Sequence, residues 1–245
     1  MKTDFSKIEF NSQFHTYTYE GGQNLASTTK TISSLKGPFN AEAISTRVAA
    51  RRGVSQSDIL AEWEASRQAG LQIHERIAAF LRPLTGPAGP AASPDPLLAS
   101  NLTGPHLTAF SQLWFDHLMV NYTPVQVEWI IGDAELGLGG TADALFLNRQ
   151  SNSLHLFDWK TNKRFTESNP YGSFWSPFED LDDCHLEEYS LQISLYRLII
   201  ERNVEIELST SYLVSLTASG YFVIHQAKDY RERLLAWLEK GKNRL

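Results

Sequence analysis

Residues Leu154 to Arg164 have the sequence Leu-His-Leu-Phe-Asp-Trp-Lys-Thr-Asn-Lys-Arg, and this stretch decides the fold. Its apolar start predicts a buried β-strand that ends in an acid, a bulky ring and a lysine. Side chains alternate between the two faces of a strand, so Asp158 and Lys160 point one way and Trp159 the other. Desolvating a carboxylate and an ammonium group is costly unless they pair or bind a ligand. The end of this strand is therefore the first candidate for a functional site.

A second acid lies fifteen residues earlier, in the apolar stretch Gly140-Thr-Ala-Asp-Ala-Leu-Phe-Leu147. If the polar residues Asn148 to Ser153 form the turn of a hairpin, Asp143 falls opposite Asp158. Cross-strand neighbours in an antiparallel pair have Cβ atoms roughly 4.5–5.5 Å apart. Two carboxylates and Lys160 then converge on one patch, and we expect the chemistry to take place there.

Length and composition favour one domain over residues 1–245. A chain of 245 residues with 42% hydrophobic content is long enough to bury a core. It contains no run of about 18 apolar residues, so no transmembrane helix and no membrane partner are expected. The N-terminus lacks the apolar core of a signal peptide, which predicts a cytoplasmic location.

Cysteine content and charge narrow the possible sites. The single cysteine, Cys184, rules out an internal disulfide and any multi-cysteine zinc or iron–sulfur site. A net charge of −6 argues against a broad, salt-dependent grip on duplex nucleic acid. A local basic channel is compatible with this charge, and its candidate side chains are Arg47, Arg51, Arg52, Arg67, Lys163 and Arg164.

The hydrophobic periodicity along the chain predicts an α/β organisation. The predicted helices are Ser57 (as N-cap) to about Leu81, Leu107–Val120, Leu186 to about Glu201, and one from Tyr230 onward. The predicted strands are Val125–Ile131, Leu138–Leu147 and Leu154–Lys160, with a small hairpin between Asn11 and Thr31 and another around Ser219-Gly220. Residues 1–50 are read as an N-terminal hairpin and extension, 83–105 as an exposed Pro/Gly-rich loop, and 161–185 as an aromatic-rich loop.

One histidine of the first predicted helix faces the same side as its apolar residues. Steps of three and four residues trace a stripe predicted to face the core: Leu60, Trp63, Arg67, Gly70, His74, Ile77 and Leu81. Taken alone, His74 fits a core histidine hydrogen-bonded to a backbone carbonyl. The paired acids downstream favour a metal ligand, because histidine commonly binds metals and suits Mn²⁺ better than Mg²⁺.

The helix predicted from Leu186 carries a polar pair. Gln192 and Tyr196 are four residues apart and share one face. A glutamine on the buried side of an apolar helix must find hydrogen-bond partners. Without further context, this pattern indicates a polar residue at the edge of the core.

The ordered set His74, Asp143, Asp158-Trp-Lys160 and Gln192-x-x-x-Tyr196 is far more specific than any of its parts. It resembles the PD-(D/E)xK nuclease superfamily and, within it, the RecB-type exonuclease branch. The resemblance runs from about Trp63 to Arg202. It implies a restriction-endonuclease-like core, which is an α/β fold with a mixed central β-sheet flanked by helices.

Further residues bear on the subgroup. The Asp-Trp-Lys-Thr wording is most similar to the mitochondrial genome-maintenance exonucleases, as is the segment Phe14-His-x-Tyr17 to Leu25-x-Ser27-x-Thr29, with Ser-Thr-Thr in place of their Ser-Val-Thr. Ala142 stands where a "Pro-Asp" motif has proline. CRISPR-associated and helicase-linked relatives hold an iron–sulfur cluster with four cysteines, and their absence here excludes such a cluster.

The resemblance implies phosphodiester hydrolysis that depends on one or two Mg²⁺ or Mn²⁺ ions, because hard divalent cations are held by carboxylates. Asp143, Asp158, the backbone carbonyl of Trp159 and His74 would be the metal ligands. Lys160, beside two acids, should stay protonated, orient the attacking water and stabilise developing negative charge. Asp143, Asp158, Lys160 and His74 are thus the expected catalytic residues. Glu128 fits a further outer acid and a solvent-facing side chain equally well.

The aromatic-rich loop suggests how nucleic acid is held. Its rings are Phe165, Tyr171, Phe174, Trp175 and Phe178, with basic residues at its start and acidic ones at its end, as in a gate on a threading path. Exposed rings beside basic residues can stack unpaired bases, although each ring could equally close over the core. The expected nucleic-acid contacts are Arg67, Thr161, Lys163, Phe174, Trp175, Gln192 and Tyr196.

Three functions are compatible with these patterns. The first is a metal-dependent DNA exonuclease with a preference for single-stranded ends, acting with protein partners in repair, recombination or phage replication. The second is a structure-specific or restriction-type endonuclease. The third is a catalytically silent nucleic-acid-binding subunit, against which the intact Asp143, Asp158 and Lys160 speak.

Overall fold

A mixed β-sheet with helices on both faces forms the centre of the protein. The computed structural model describes residues 2–85 and 102–242. The strands are β1 (Ile8–Asn11), β2 (Thr16–Tyr19), β3 (Gln23–Ser27), β4 (Tyr122–Asp133), β5 (Leu138–Asn148), β6 (Leu154–Lys160), β7 (Tyr212–Leu216) and β8 (Phe222–Gln226). The helices are α1 (Thr28–Ser33), α2 (Ala41–Arg52), α3 (Gln56–Leu81), α4 (Pro105–Leu113), α5 (His185–Asn203) and α6 (Arg231–Lys242). The predicted α/β fold with a mixed central sheet flanked by helices is confirmed.

One edge of β5 is shared between two other strands. Its start pairs in parallel with β3, through Ala26–Leu138 and Ser27–Gly139, and its end pairs antiparallel with β6 from Ala144 onward. Between these pairings, residues 140–143 have a strand partner on the β4 side alone within the described part of the chain. The sheet therefore opens at the residues that precede and include Asp143.

Alternate residues of the central strands supply two hydrophobic cores. Leu156 packs on the face covered by α1, α5 and α6, while Phe157 and Trp159 pack on the face covered by α3 and α4. The edge of the Trp159 ring meets Phe110 of α4, with ring centroids 5.4 Å apart. Trp159 thus lies on the opposite face from its neighbours Asp158 and Lys160, as the strand alternation predicted.

Helix α3 departs from its prediction at its first half. Ser55, not Ser57, caps it: Ser55 Oγ accepts from the Asp58 N–H while the Asp58 carboxylate accepts from the Ser55 N–H. Ile59 is buried, but the next buried residue of the helix is Ile77, since Leu60 is exposed and Arg67 points to solvent. The predicted core-facing stripe is wrong for Arg67, because this half of α3 packs on α2 and leaves Arg67 on its exposed face.

Most remaining elements were predicted with shifted ends. Val125–Ile131 belongs to the longer β4, the helix expected at Leu107–Val120 starts at Pro105 and continues through a π-helical turn (Trp114–Leu118) to Asn121, and the hairpin at Ser219-Gly220 is confirmed. The N-terminal segment forms three antiparallel strands rather than one hairpin, and α2 was not predicted. Of the expected Pro/Gly-rich loop, residues 86–101 lie outside the described residues. No helix in ranges 2–85 and 102–242 is long and apolar enough to cross a membrane.

Candidate metal centre

The hairpin of β5 and β6 brings two buried acids together. Because Ala144 pairs with Phe157, the same register places Asp143 opposite Asp158. The Asp143 side chain replaces a ladder hydrogen bond: its Oδ2 accepts from the Trp159 N–H at 2.8 Å. Both carboxyl groups are buried, with residue exposures of 9% and 4%. The predicted convergence of the two acids is confirmed.

Lys160 lies beside these acids. Its Nζ is 2.6 Å from Asp158 Oδ2 and 3.3 Å from Gln192 Oε1. Burial alone would lower the pKa of Lys160, but Asp158, Tyr189 and Asp143 together outweigh burial and raise it. The ammonium group therefore keeps its proton at neutral pH, as predicted.

Helix α3 carries His74 to the open edge of the sheet. Gly70, one turn earlier, allows close approach, because a Cβ there would lie 3.2 Å from Thr161 Oγ1. His74 Nδ1 is 3.4 Å from Asp143 Oδ1, and the side chain is 27% exposed. His74 thus faces a carboxylate at the open edge of the sheet. This position fits the metal-ligand hypothesis better than a core histidine bonded to a backbone carbonyl.

Glu128 completes the group, which the sequence had left open. In the β4–β5 ladder, Val127 pairs with Ala144 and Trp129 with Ala142, so Glu128 lies opposite Asp143. Its φ of +49° is in the left-handed region, which a non-glycine residue in a strand occupies at a cost of about 1–3 kcal/mol. Such strain is characteristic of functional sites. Counting back through the Asp133–Leu138 hairpin would have identified Glu128 from the sequence.

His74, Glu128 and Asp143 can hold a metal ion. One ligand atom of each lies within 4.8 Å of the others. Imidazole and two carboxylates are suitable donors for Mn²⁺, and carboxylates for Mg²⁺. Asp158, predicted as a ligand, instead pairs with Lys160. Its role as a metal ligand, and that of the Trp159 carbonyl, stay predictions.

The titrating groups show an excess of negative charge at this point. Burial, and then the Asp143 charge, raise the pKa of Glu128 to about 7. Burial would lower the pKa of His74, but Asp143 outweighs it and raises that pKa to about 9. Burial also raises the pKa of Asp158, against the effect of Lys160. A bound divalent cation would offset this negative charge, and the carboxyl groups would no longer need to take up protons.

Two residues predicted to contact nucleic acid, Gln192 and Tyr196, bond to each other beside Lys160. Tyr196 is 4% exposed, and its OH accepts from Gln192 Nε2 at 2.6 Å. A Cβ at Gly140 would lie only 2.7 Å from Tyr196 Cε1, so glycine is required there for α5 to approach β5. The prediction that Tyr196 contacts nucleic acid is wrong, because its ring is covered by the sheet. Gln192 instead connects Tyr196 to Lys160.

The aromatic-rich loop is irregular, as predicted, but its rings divide into two groups. Phe174 is 1% exposed and Phe178 is fully buried, so neither can stack on a base. Trp175 is 54% exposed and Tyr171 more so, and these rings can be reached from solvent. The prediction for Phe174 is therefore wrong, because the loop folds back and the Phe174 N–H donates to Leu181 O at 3.1 Å.

The acidic residues at the end of this loop are held by contacts within the loop and with other elements. Asp183 pairs with Lys36 at 3.1 Å, Asp182 accepts from the Asn169 N–H at 2.9 Å, and Asp180 pairs with Arg233. These acids stabilise the loop. The expected gate, basic near the site and repulsive at its far end, is not supported by these contacts.

The predicted basic channel is partly neutralised. Arg67 pairs with Glu64 at 2.7 Å on the exposed face of α3. Lys163 pairs with Glu62 at 2.6 Å, and Arg52 pairs with the same glutamate at 2.7 Å. Thr161 faces Gly70. Nucleic-acid contacts by Arg67, Thr161 and Lys163 stay predictions. To bind a phosphate, Arg67 would have to release Glu64, and Lys163 would have to release Glu62.

We expect metal binding to release protons and to strengthen with rising pH. His74 must lose its proton before a ring nitrogen can bind a cation, and Glu128 must lose its proton too. With pKa values of about 9 and about 7, His74 is protonated at pH 7 and Glu128 about half so. Calorimetric titration with Mn²⁺ in buffers of different ionisation enthalpy should show about one to two protons released at pH 7. An affinity that does not change between pH 6 and pH 9 would contradict this assignment.

Comparisons with known proteins leave the family open. No protein-family model matches the chain, and no curated protein matches it significantly. A solved structure titled "Crystal structure of SSO0001" aligns with 60% of this chain and 58% of that chain, at 15% identity and a TM-score of 0.27. A likeness this weak carries no argument about fold or activity.

Proposed function

We propose that the protein is a metal-dependent nuclease with a restriction-endonuclease-like core, which hydrolyses phosphodiester bonds of DNA and prefers single-stranded ends. The observation that supports this most is the meeting of Asp143, Asp158 and Lys160 with His74 at the open edge of the sheet. These residues come from two strands and one helix. An ordinary salt-bridged strand end would need neither His74 nor the strained Glu128.

The residues present fit a divalent cation. His74, Glu128 and Asp143 would hold it, because their ligand atoms already lie close together and share excess negative charge. When bound, Mg²⁺ or Mn²⁺ would supply the positive charge that offsets charge developing on the phosphate.

Lys160 supplies the chain's own positive charge. Its ammonium group stays protonated and is held between Asp158 and Gln192. From there it can donate to a phosphate oxygen and hold the attacking water by a hydrogen bond. Because the side chain is only 13% exposed, this electrostatic interaction is stronger than it would be in bulk water.

Linear and circular single-stranded DNA, each with Mn²⁺, Mg²⁺ or EDTA, test the proposal. We expect linear strands to be degraded with either metal, circles to stay intact, and EDTA to abolish cleavage. Cutting of circles would identify an endonuclease. Binding without cleavage under every condition would identify a silent binding subunit.

The preference for unpaired strands predicts that Trp175 and Phe174 behave differently. Replacing the exposed Trp175 by alanine should raise KM for single-stranded DNA, since about 1–3 kcal/mol is lost per stacked base. Phe174→Ala should lower the free energy of unfolding by about 3–5 kcal/mol through loss of core packing. Thermal unfolding and steady-state kinetics on both variants separate the two effects. An unchanged KM for Trp175→Ala, together with equal cleavage of blunt duplex, would contradict the stacking role.

A further inference from the structure

Helix α5 presents a third residue to the site. Tyr189, Gln192 and Tyr196 follow at steps of three and four, so they share one face of the helix. Gln192 and Tyr196 bond to each other near Lys160. Tyr189 lies one turn earlier, at the outer end of this stripe.

The Tyr189 ring forms one side of the space around the Lys160 ammonium group. Lys160 Nζ lies 4.0 Å from the centroid of the ring, well inside the range of a cation–π interaction. Asp158 Oδ2 and Gln192 Oε1 lie on other sides, at 2.6 and 3.3 Å. The ammonium group is therefore enclosed by a carboxylate, an amide oxygen and an aromatic face.

A ring suits this position better than another acceptor. The site already contains three carboxyl groups, Glu128, Asp143 and Asp158, in a small space. A further carboxylate would draw Lys160 away from Asp158 and add negative charge. A ring face attracts the cation without a formal charge and without binding one particular N–H. Asp158 and Gln192 engage two of the three lysine N–H groups, so the third can turn toward a phosphate.

The ring is itself held in place. Tyr189 OH donates to Asn162 Oδ1 at 3.1 Å, and Asn162 lies two residues after Lys160. The ring also contacts Phe165 and His185, with centroids 6.0 and 5.7 Å away. Phe165 stacks on His225 at 4.0 Å. The segment after β6 thus packs against the Tyr189 ring and holds it in position.

We propose that Tyr189 is a positioning residue that holds the Lys160 ammonium group through the face of its ring. This inference rests on the proposed nuclease function, in which Lys160 acts on the phosphate. Without the ring, Lys160 keeps its contact with Asp158 but loses the aromatic face that orients its ammonium group. The chemical step should slow, while DNA binding, which does not use this contact, should be unchanged.

Three variants separate the ring from the hydroxyl group. Tyr189→Leu removes the ring, Tyr189→Phe keeps the ring but loses the bond to Asn162, and Asn162→Ala removes the same bond from the other side. We expect kcat for linear single-stranded DNA to fall about 5- to 30-fold in Tyr189→Leu, with KM unchanged. The other two variants should stay within about twofold of the wild type, because Phe165 and His185 still pack against the ring. Equal kcat in Tyr189→Leu and Tyr189→Phe would overturn the inference.

A graded series avoids dependence on how well Tyr189→Leu folds. Phenylalanines with one, two or three ring fluorines at position 189 weaken the negative ring face and change its shape little. Stepwise loss of kcat with each fluorine supports the inference. A flat series overturns it.

The contact can also be measured without activity. Lysine labelled with ¹³C, assigned through Lys160→Arg, should show an upfield-shifted Lys160 methylene signal, because it lies over a ring. The shift should persist in Tyr189→Phe and vanish in Tyr189→Leu. An unshifted signal overturns the inference whether or not the protein cleaves DNA. A shifted signal in a protein that cleaves no DNA overturns the proposed function, and with it the positioning role, while the contact itself stands.

Discussion

Lys160→Met should lower DNA cleavage by at least about 10²–10³-fold while the protein stays folded. Lys160 keeps its positive charge when His74 loses a proton to bind a metal ion, so it is the cation that the chain itself supplies to the metal-bound site. Methionine has a similar volume, so packing against Tyr189 and Gln192 is retained. Asp158 would lose its partner at 2.6 Å and is expected to take up a proton, because it is buried.

Asp143→Asn should be equally inactive and should stay folded with a stability close to that of the wild type. An asparagine oxygen can still accept from the Trp159 N–H. The attraction of Asp143 to His74 and Lys160 is lost, but Glu128 and Asp158 lose a repulsive neighbour, so the two effects oppose each other. Loss of activity without loss of stability is the signature of a group retained for function. Cleavage assays and thermal unfolding on the same samples measure both quantities.

Lys163→Met is the matched control for Lys160. It lies three residues further on, is 76% exposed and pairs with Glu62. Exposed ion pairs contribute little, so both the stability and kcat should stay close to the wild type, and loss of the predicted nucleic-acid contact of Lys163 should appear in KM alone. Comparable kcat values for Lys160→Met and Lys163→Met would contradict the assignment of Lys160.

Glu128→Gln and His74→Ala should each weaken Mn²⁺ binding by about 10–100-fold or more. Each removes one of the three side chains whose ligand atoms lie within 4.8 Å of one another. Cleavage by His74→Ala should recover partly when the Mn²⁺ concentration is raised, because the two carboxylates still bind. Calorimetry gives the affinity, and cleavage at increasing Mn²⁺ gives the recovery.

Glu75→Gln is the control for this pair. It follows His74 on α3 but is exposed. Its Mn²⁺ affinity should equal that of the wild type. If His74→Ala unfolds the protein and leaves the affinity per folded molecule unchanged, the core-histidine hypothesis is correct. An unchanged affinity in Glu128→Gln would remove that residue from the metal centre.

Local sequence patterns were sufficient for the strands that carry the acids. Strand alternation, one polar turn and a count of residues placed Asp143 opposite Asp158 and put Trp159 on the other face. These features depend on neighbours in one hairpin. Alternate residues of a strand lie on the same face, so the face of each side chain can be counted along the sequence.

The sequence could not determine which side chains are exposed at a distance from that hairpin. The local sequence predicted that Arg67 faces the core and that Phe174 contacts nucleic acid. In the structure, Arg67 is exposed and Phe174 is buried in the core. Whether a helix end or a long loop is covered depends on elements far away in the chain. Hydrophobic burial is a property of the assembled packing and not of local periodicity.

Only the tertiary structure joined the separate elements into one site. Gly70 lets α3 approach Thr161, and Gly140 lets α5 approach β5, so His74 and Tyr189 reach the same open sheet edge. The sequence by itself determined the acids, the lysine and their hairpin, because strand geometry is local. The tertiary structure decided that His74 and Tyr189 join them and that Tyr196 does not contact solvent, because those contacts depend on how closely distant elements pack.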